Sequence, residues 1–186
     1  MSELQKITEQ VVNKAEAGEQ LEAYASRGTS TEVKAYGGEV EAFTSASSAG
    51  IGIRVIRDGR VGFAYAGSLD DDVIAETLAE ARDNLTFSEP DEWVALSEPD
   101  DATPIIHDHW DDGVATMATE DKVQLALDLE AQTLAADPRV TGIRVAAYSD
   151  SSAEMALSTS TGIRATDRGT GASISVQALA LSLIHI

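Results

Sequence analysis

The chain opens on an apolar stripe. Leu4, Ile7, Val11 and Ala15 recur in steps of three and four, the period of one face of an α-helix. Ser2 stands where an N-cap belongs, and Gly18 is placed to end the helix. Residues 31–36 and 39–44 then flank Gly37-Gly38, a two-residue hairpin signal. In that register Ala35 faces Val40 and Val33 faces Ala42, while Lys34 meets Glu41 on the opposite side. One face is apolar and the other charge-paired, the pattern of a half-buried hairpin. A second hairpin turns at Asp58-Gly59, a pair that tolerates positive φ. It sets Val55 against Gly62, Ile53 against Ala64 and Ile51 against Ala66. The small residues leave room for a closely packed helix, and the next segment supplies one. Ser68 is its expected N-cap, Asp70, Asp71 and Asp72 suit the positive end of its dipole, and Ile74, Leu78, Ala81 and Leu85 form its core stripe.

Residues 87–118 break the pattern. They hold Pro90, Pro99 and Pro104, nine acids and no Lys or Arg, which predicts a long loop or linker. Trp93, Ile105, Ile106 and Trp110 are expected to tack it to a surface. Helical period returns at Thr119 with Val123, Leu127, Ala131 and Leu134, and Asp137-Pro138 stops it. Strands follow over 140–149, 153–158, 163–166 and 171–178; in the last, Ala172, Ile174, Val176 and Ala178 alternate with Ser173, Ser175 and Gln177. The order α-β-β-β-β-α, loop, α-β-β-β predicts an α+β fold: a mainly antiparallel sheet built from hairpins, with packed helices. Residues 1–118 read as an N-terminal hairpin-rich domain with the acidic loop 87–118. Residues 119–180 read as the helix and strands of a central region that is cut short. Residues 181–186, Leu-Ser-Leu-Ile-His-Ile, continue nothing before them and read as a non-native tail, which leaves the last strand with an unpaired edge.

Charge narrows the function classes. The 186 residues carry 32 acids against 13 bases, a net charge of -19. Such a surface repels nucleic-acid backbones, so no nucleic-acid partner is expected. The 43% hydrophobic content argues for a packed core, and the absence of cysteine excludes disulfides and thiolate metal sites. The start has no secretory signal and no apolar run reaches the roughly 18 residues of a membrane span, so a soluble, cytoplasmic protein without a membrane partner is the expectation.

The motifs that could carry chemistry fall away on inspection. Gly50-x-Gly52 lies inside a strand and lacks the third glycine of a dinucleotide fingerprint. A calcium loop over 108–119 would put Trp110 and Thr119 where oxygen ligands belong. His107-x-His109 has no spaced third ligand, and the consecutive Asp70, Asp71 and Asp72 point in different directions around a helix. No residue is nominated as catalytic, cofactor-binding or metal-ligating.

Taken in order, four stretches form a family pattern: Gly38-Glu-Val-Glu-Ala42, Gly50-x-Gly-x-Arg-Val55, Asp58-Gly-Arg-x-Gly-Phe-Ala64, and a helix carrying Ala75, Ala79 and Ala81. Asp137-Pro-Arg-Val140 and Ser160-Thr-Gly162 continue it. The chain resembles the N-terminal part of the TldD/PmbA family over residues 5–180, on the PmbA (TldE) side. The resemblance implies a cytoplasmic protein whose TldD-type and PmbA-type subunits pair as a heterodimeric zinc metalloprotease acting on unfolded or extended peptides. It places the zinc motif, His-Glu-x-x-x-His, in the C-terminal domain of the TldD-type subunit. This chain contains no His-Glu dipeptide, so no catalytic residue carries over. The implied role is a non-catalytic scaffold and substrate-channel portion, with zinc in the TldD-type partner or in a missing C-terminal domain. Two alternatives stand beside it: a binding or regulatory module without proteolysis, such as a modulator of DNA gyrase (an older family label), and an acidic nucleic-acid mimic.

Overall fold

The computed structural model describes residues 1–100 and 107–181. The expectations for Ile105 and Ile106, and for the tail beyond Leu181, lie outside the described residues. The elements are α1 (Glu3–Val12), β1 (Gln20–Tyr36), β2 (Glu39–Arg57), β3 (Arg60–Ala66), α2 (Asp71–Asp83), a 3₁₀ turn (Asn84–Phe87), α3 (Asp112–Ala115), α4 (Thr119–Ala136), β4 (Val140–Thr159) and β5 (Arg164–Ala180). The strands form one antiparallel sheet in the order β3-β2-β1-β4-β5. The α+β class and the hairpin-built sheet are as the sequence predicts. The strand number is not. Residues 39–44 and the strand after Gly50 are one strand of 19 residues, and the four short strands after Pro138 are two, of 20 and 17. The sequence predicts breaks at Ser45 to Ala49, Asp150 to Ser152 and Asp167 to Thr170, whose composition favours turns in isolation. In the sheet, neighbouring strands supply their backbone partners, and the ladder overrides local preference. Among the described residues no helix is long and apolar enough to cross a membrane.

The chain divides into two compact units. The first comprises Met1–Gly28, Ser48–Asp108 and Ala153–Arg168. Its core joins Leu4 and Val11 of α1 to Leu21 and Ala23 of β1, Ile53 and Val55 of β2, and Ile74, Leu78 and Ala81 of α2. Ser2 caps α1 as expected, accepting from Gln5 N at 3.2 Å. The helix stops at Val12, well before Gly18, whose φ of +82° serves the turn into β1. The Asp58-Gly59 hairpin has the expected geometry, with φ of +52° and +72°, and pairs Val55 with Gly62, Ile53 with Ala64 and Ile51 with Ala66. The room left by Gly62 is used in full: a Cβ there would stand 1.9 Å from the carbonyl oxygen of Ala81 on α2. The α2 N-cap is Asp70 rather than Ser68; the Ser68 hydroxyl instead accepts from Asp70 N at 3.0 Å.

The acidic loop is tacked down, but not by Trp93, which is exposed. Leu96 is the buried anchor, and its N–H donates to Gln20 Oε1 at 2.8 Å.

The second unit comprises Thr29–Ser47, His109–Ser152 and the chain from Gly169. Its core joins Val33 and Ala35 of β1, Ala126 of α4, and Ile143, Ala146 and Tyr148 of β4. Val123 and Leu127 pack against it as the helical period predicts, whereas Ala131 and Leu134 are exposed, and Ala126 and Glu130 take the buried positions. On β2 the expected burial of Val40 and Ala42 is absent: Glu39 to Ala49 is exposed throughout.

Candidate functional site

In the first unit an ionic cluster is assembled from the α1–β1 turn, β2 and α2. The Glu19 side chain has no exposed surface. Arg82 reaches it through Nε at 3.1 Å and Nη2 at 2.9 Å, and Arg57 Nη1 reaches it at 3.2 Å. Burial alone would push this carboxyl up, but the Arg82 hydrogen bond, the backbone N–H of Glu16 and the two guanidinium charges outweigh it and hold the pKa below the usual glutamate value. The cluster ties the α1–β1 turn to β2 and α2. It is a structural clamp with every charge paired.

The same unit carries a cleft of about 360 Å³ where His107 meets Asp108, Glu154, Met155, Asp167 and Arg168. Glu154 is held by Arg27 at 3.0 Å. An imidazole among carboxylates and a guanidinium suits charged, polar ligands. His109 belongs to the second unit. There its carbonyl accepts from Thr170 N at 2.9 Å, and it bridges Gly169 as a short parallel strap. Among the described residues no group of three or more His, Cys, Asp or Glu could hold a metal ion.

The second unit buries two further charges. Glu130 of α4 is 3% exposed and accepts from Gly37 N at 2.8 Å and Gly38 N at 2.9 Å. It thereby satisfies both N–H groups of the β1–β2 turn, whose glycines have φ of +65° and +82°. Lys122 Nζ lies 2.6 Å from Asp150 Oδ2, off the line of a hydrogen bond, and donates to Thr31 Oγ1 at 3.2 Å. Burial first, and then Asp150, push the Tyr148 hydroxyl up to about 12. Sequence reading missed these groups. The signal for Glu130 was its place on the face shared by Ala126, where an acid reads as a solvated position. Within the serine- and threonine-rich stretch 149–161, Ser158 is buried, its hydroxyl 2.8 Å from that of Thr8.

The surface best suited to a polypeptide ligand is β5, the last strand of the sheet. Its start is covered by the His109 strap, and Thr170 Oγ1 accepts from Asp111 N at 2.9 Å. From Gly171 to Ala180 the strand is exposed, with Ile174, Val176 and Leu179 among the exposed apolar side chains. A row of main-chain donors and acceptors flanked by alternating apolar and polar side chains can accept another extended strand.

Comparison with known proteins gives a consistent likeness. Residues 21–85 match the family model described as PmbA/TldA metallopeptidase domain 1, and residues 112–182 match the PmbA/TldA metallopeptidase central domain. The two matches together cover well over half of the chain. A 42-residue stretch is 45% identical to an uncharacterized protein of Methanocaldococcus jannaschii, covering 23% of this chain and 10% of that one. Among solved structures, a proposed modulator of a DNA gyrase from Thermotoga maritima superposes with a TM-score of 0.81 at 16% identity, over 98% of this chain and 40% of that one. TldE from Thermococcus kodakarensis does so with a TM-score of 0.80 at 21% identity, over 95% and 40%. The chain therefore spans about 40% of the length of the solved structures it matches.

Proposed function

The chain belongs to the PmbA/TldD metallopeptidase family, and on that premise we propose that it is the N-terminal, non-catalytic scaffold and substrate-channel portion of a cytoplasmic zinc metalloprotease subunit that handles unfolded peptides. The observation that carries this reading is the exposed edge strand β5, at which an extended peptide can add through main-chain hydrogen bonds while side-chain alternation is read on its faces. A folded domain whose strands are paired or covered has little free backbone to offer there, so the edge favours extended chains.

The described residues do not fit zinc. No metal-competent group of side chains is present among them, and the sequence has neither Cys nor His-Glu. On this reading the hydrolytic step belongs to residues outside this chain, supplied by a TldD-type partner subunit or by a C-terminal domain. The contribution of this chain is to hold a peptide extended and to keep folded proteins away from the metal.

The test is to incubate the chain with unfolded casein and added zinc, first alone and then with a TldD-type subunit. Chelator-sensitive hydrolysis is expected only in the second case. Zinc-dependent hydrolysis by the chain alone would overturn the reading. A TldD-type subunit whose activity and peptide affinity are unchanged by the chain would point instead to a regulatory module without a part in proteolysis.

A further inference from the structure

The loop that follows α2 presents two large aromatic side chains to solvent: Phe87 is 86% exposed and Trp93 is 85% exposed. The exposure is built in, because the loop around them is fixed at several points. Asp91 N donates to Gly59 O at 2.8 Å, Val61 N to Ser88 Oγ at 3.1 Å, and Trp93 N to Asp91 Oδ1 at 2.9 Å. Buried Leu96 closes the segment. A loop so restrained, with an apolar core in its own unit, nevertheless leaves its indole outside. Exposed tryptophan is costly to solubility, and it is the side chain that most often anchors a protein interface.

The charge around the two rings selects the partner. Glu89, Asp91, Glu92 and Glu98 flank them in sequence, no Lys or Arg occurs between residues 87 and 118, and the guanidinium of Arg60 reaches the loop at the Ser88 carbonyl. Carboxylates attract cations over a distance, and the indole face is the best aromatic surface for a guanidinium or ammonium group. Anionic surfaces are repelled by the same charges. We propose that this loop is a docking site for an unstructured, arginine- or lysine-bearing segment of another polypeptide, anchored on Trp93 and Phe87 and paired with Glu89 and Glu92. The site lies within the first unit and is independent of the edge strand β5, so it stands whether or not the chain serves a protease.

The probe is a fluorescein-labelled peptide of four Arg-Gly repeats, titrated with the 186-residue chain and followed by anisotropy. A Trp110→Phe background makes the quenching of Trp93 specific. Saturable binding that weakens with salt is expected. Trp93→Ala should weaken it about ten-fold, as should the double variant Glu89→Gln/Glu92→Gln. Glu120→Gln/Asp121→Asn, which removes equal charge from the first turn of α4, should change it less than about two-fold. Because Trp93 is exposed, its variant should melt with the wild type, and Trp93→Phe should retain most of the binding. Equal losses from the two charge-removing pairs would overturn the proposal, showing diffuse attraction to an acidic surface. So would an unchanged affinity in Trp93→Ala, tighter binding of an uncharged leucine-rich peptide, or no saturable binding at all.

Discussion

Glu130 and Glu19 show how single carboxylates hold this protein together from inside. A turn built on Gly37 and Gly38 exposes two N–H groups that its own strands cannot use, and Glu130 accepts both. Charged acceptors make the stronger hydrogen bonds, so Glu130→Ala should cost about 2–3 kcal/mol in denaturant unfolding, with Glu130→Gln recovering part of it. A variant as stable as the wild type would show that the turn needs no partner. Glu19 makes a different prediction. Its folded pKa is lowered, so its contribution is present above the unfolded value of 4.5 and is lost as pH falls through the lower folded value. Glu19→Gln should therefore be clearly less stable than the wild type at pH 7, and the gap should narrow as pH falls below 4.5 and through the lowered folded value. A gap that is constant with pH would assign the loss to packing. Tyr148 acts at the other end of the scale. Its pKa is raised to about 12, so the stability it contributes is full below 10 and is lost as pH rises toward 12.

At the scale of elements, Gly62 is the contact on which the first unit turns. The register pairs it with Val55, and α2 approaches until its Ala81 carbonyl fills the space of the missing side chain. Gly62→Ala must push α2 away from β3 and should cost about 2 kcal/mol or more, measured by thermal unfolding. Gly67→Ala, where an added Cβ meets nothing within 4 Å, is the control and should be close to neutral. This contact was legible in the sequence, because an Asp-Gly turn fixes the register and the register alone pairs large residues with small ones. Other elements were legible only in part. The α4 period gave Val123 and Leu127, but a buried carboxylate on the core face does not register as apolar, so the stripe was drawn one position away from Ala126 and Glu130. The long strands were cut at serines and glycines, because hydrogen bonding from distant strands leaves no local mark. Leu21, Ala23 and Ala25 alternate with Glu22, Tyr24 and Ser26, a period of two that carries β1 back to Gln20, whereas the sequence predicts the strand only from residue 31. The ionic groups around Glu19 and Asp150 come from segments far apart in sequence and had no spacing to betray them.

At the scale of the whole molecule, long stretches of two strands face solvent. β2 from Glu39 to Ala49 and β5 from Gly171 to Ala180 carry apolar side chains in solvent, Val40, Phe43, Ile174 and Val176 among them. Surfaces of this kind are where strands, subunits or substrates add. The chain spans about 40% of the length of its structural relatives. The central claim is that these residues hold extended peptide and supply no hydrolytic chemistry. Its most direct measurement pairs the chain with a TldD-type subunit and compares zinc-dependent cleavage of an unfolded protein with cleavage of the same protein held folded by a bound ligand. The account predicts rapid cleavage of the unfolded form, sparing of the folded form, and loss of the difference when the chain is omitted. Cleavage of both forms at equal rates in the presence of the chain would contradict it.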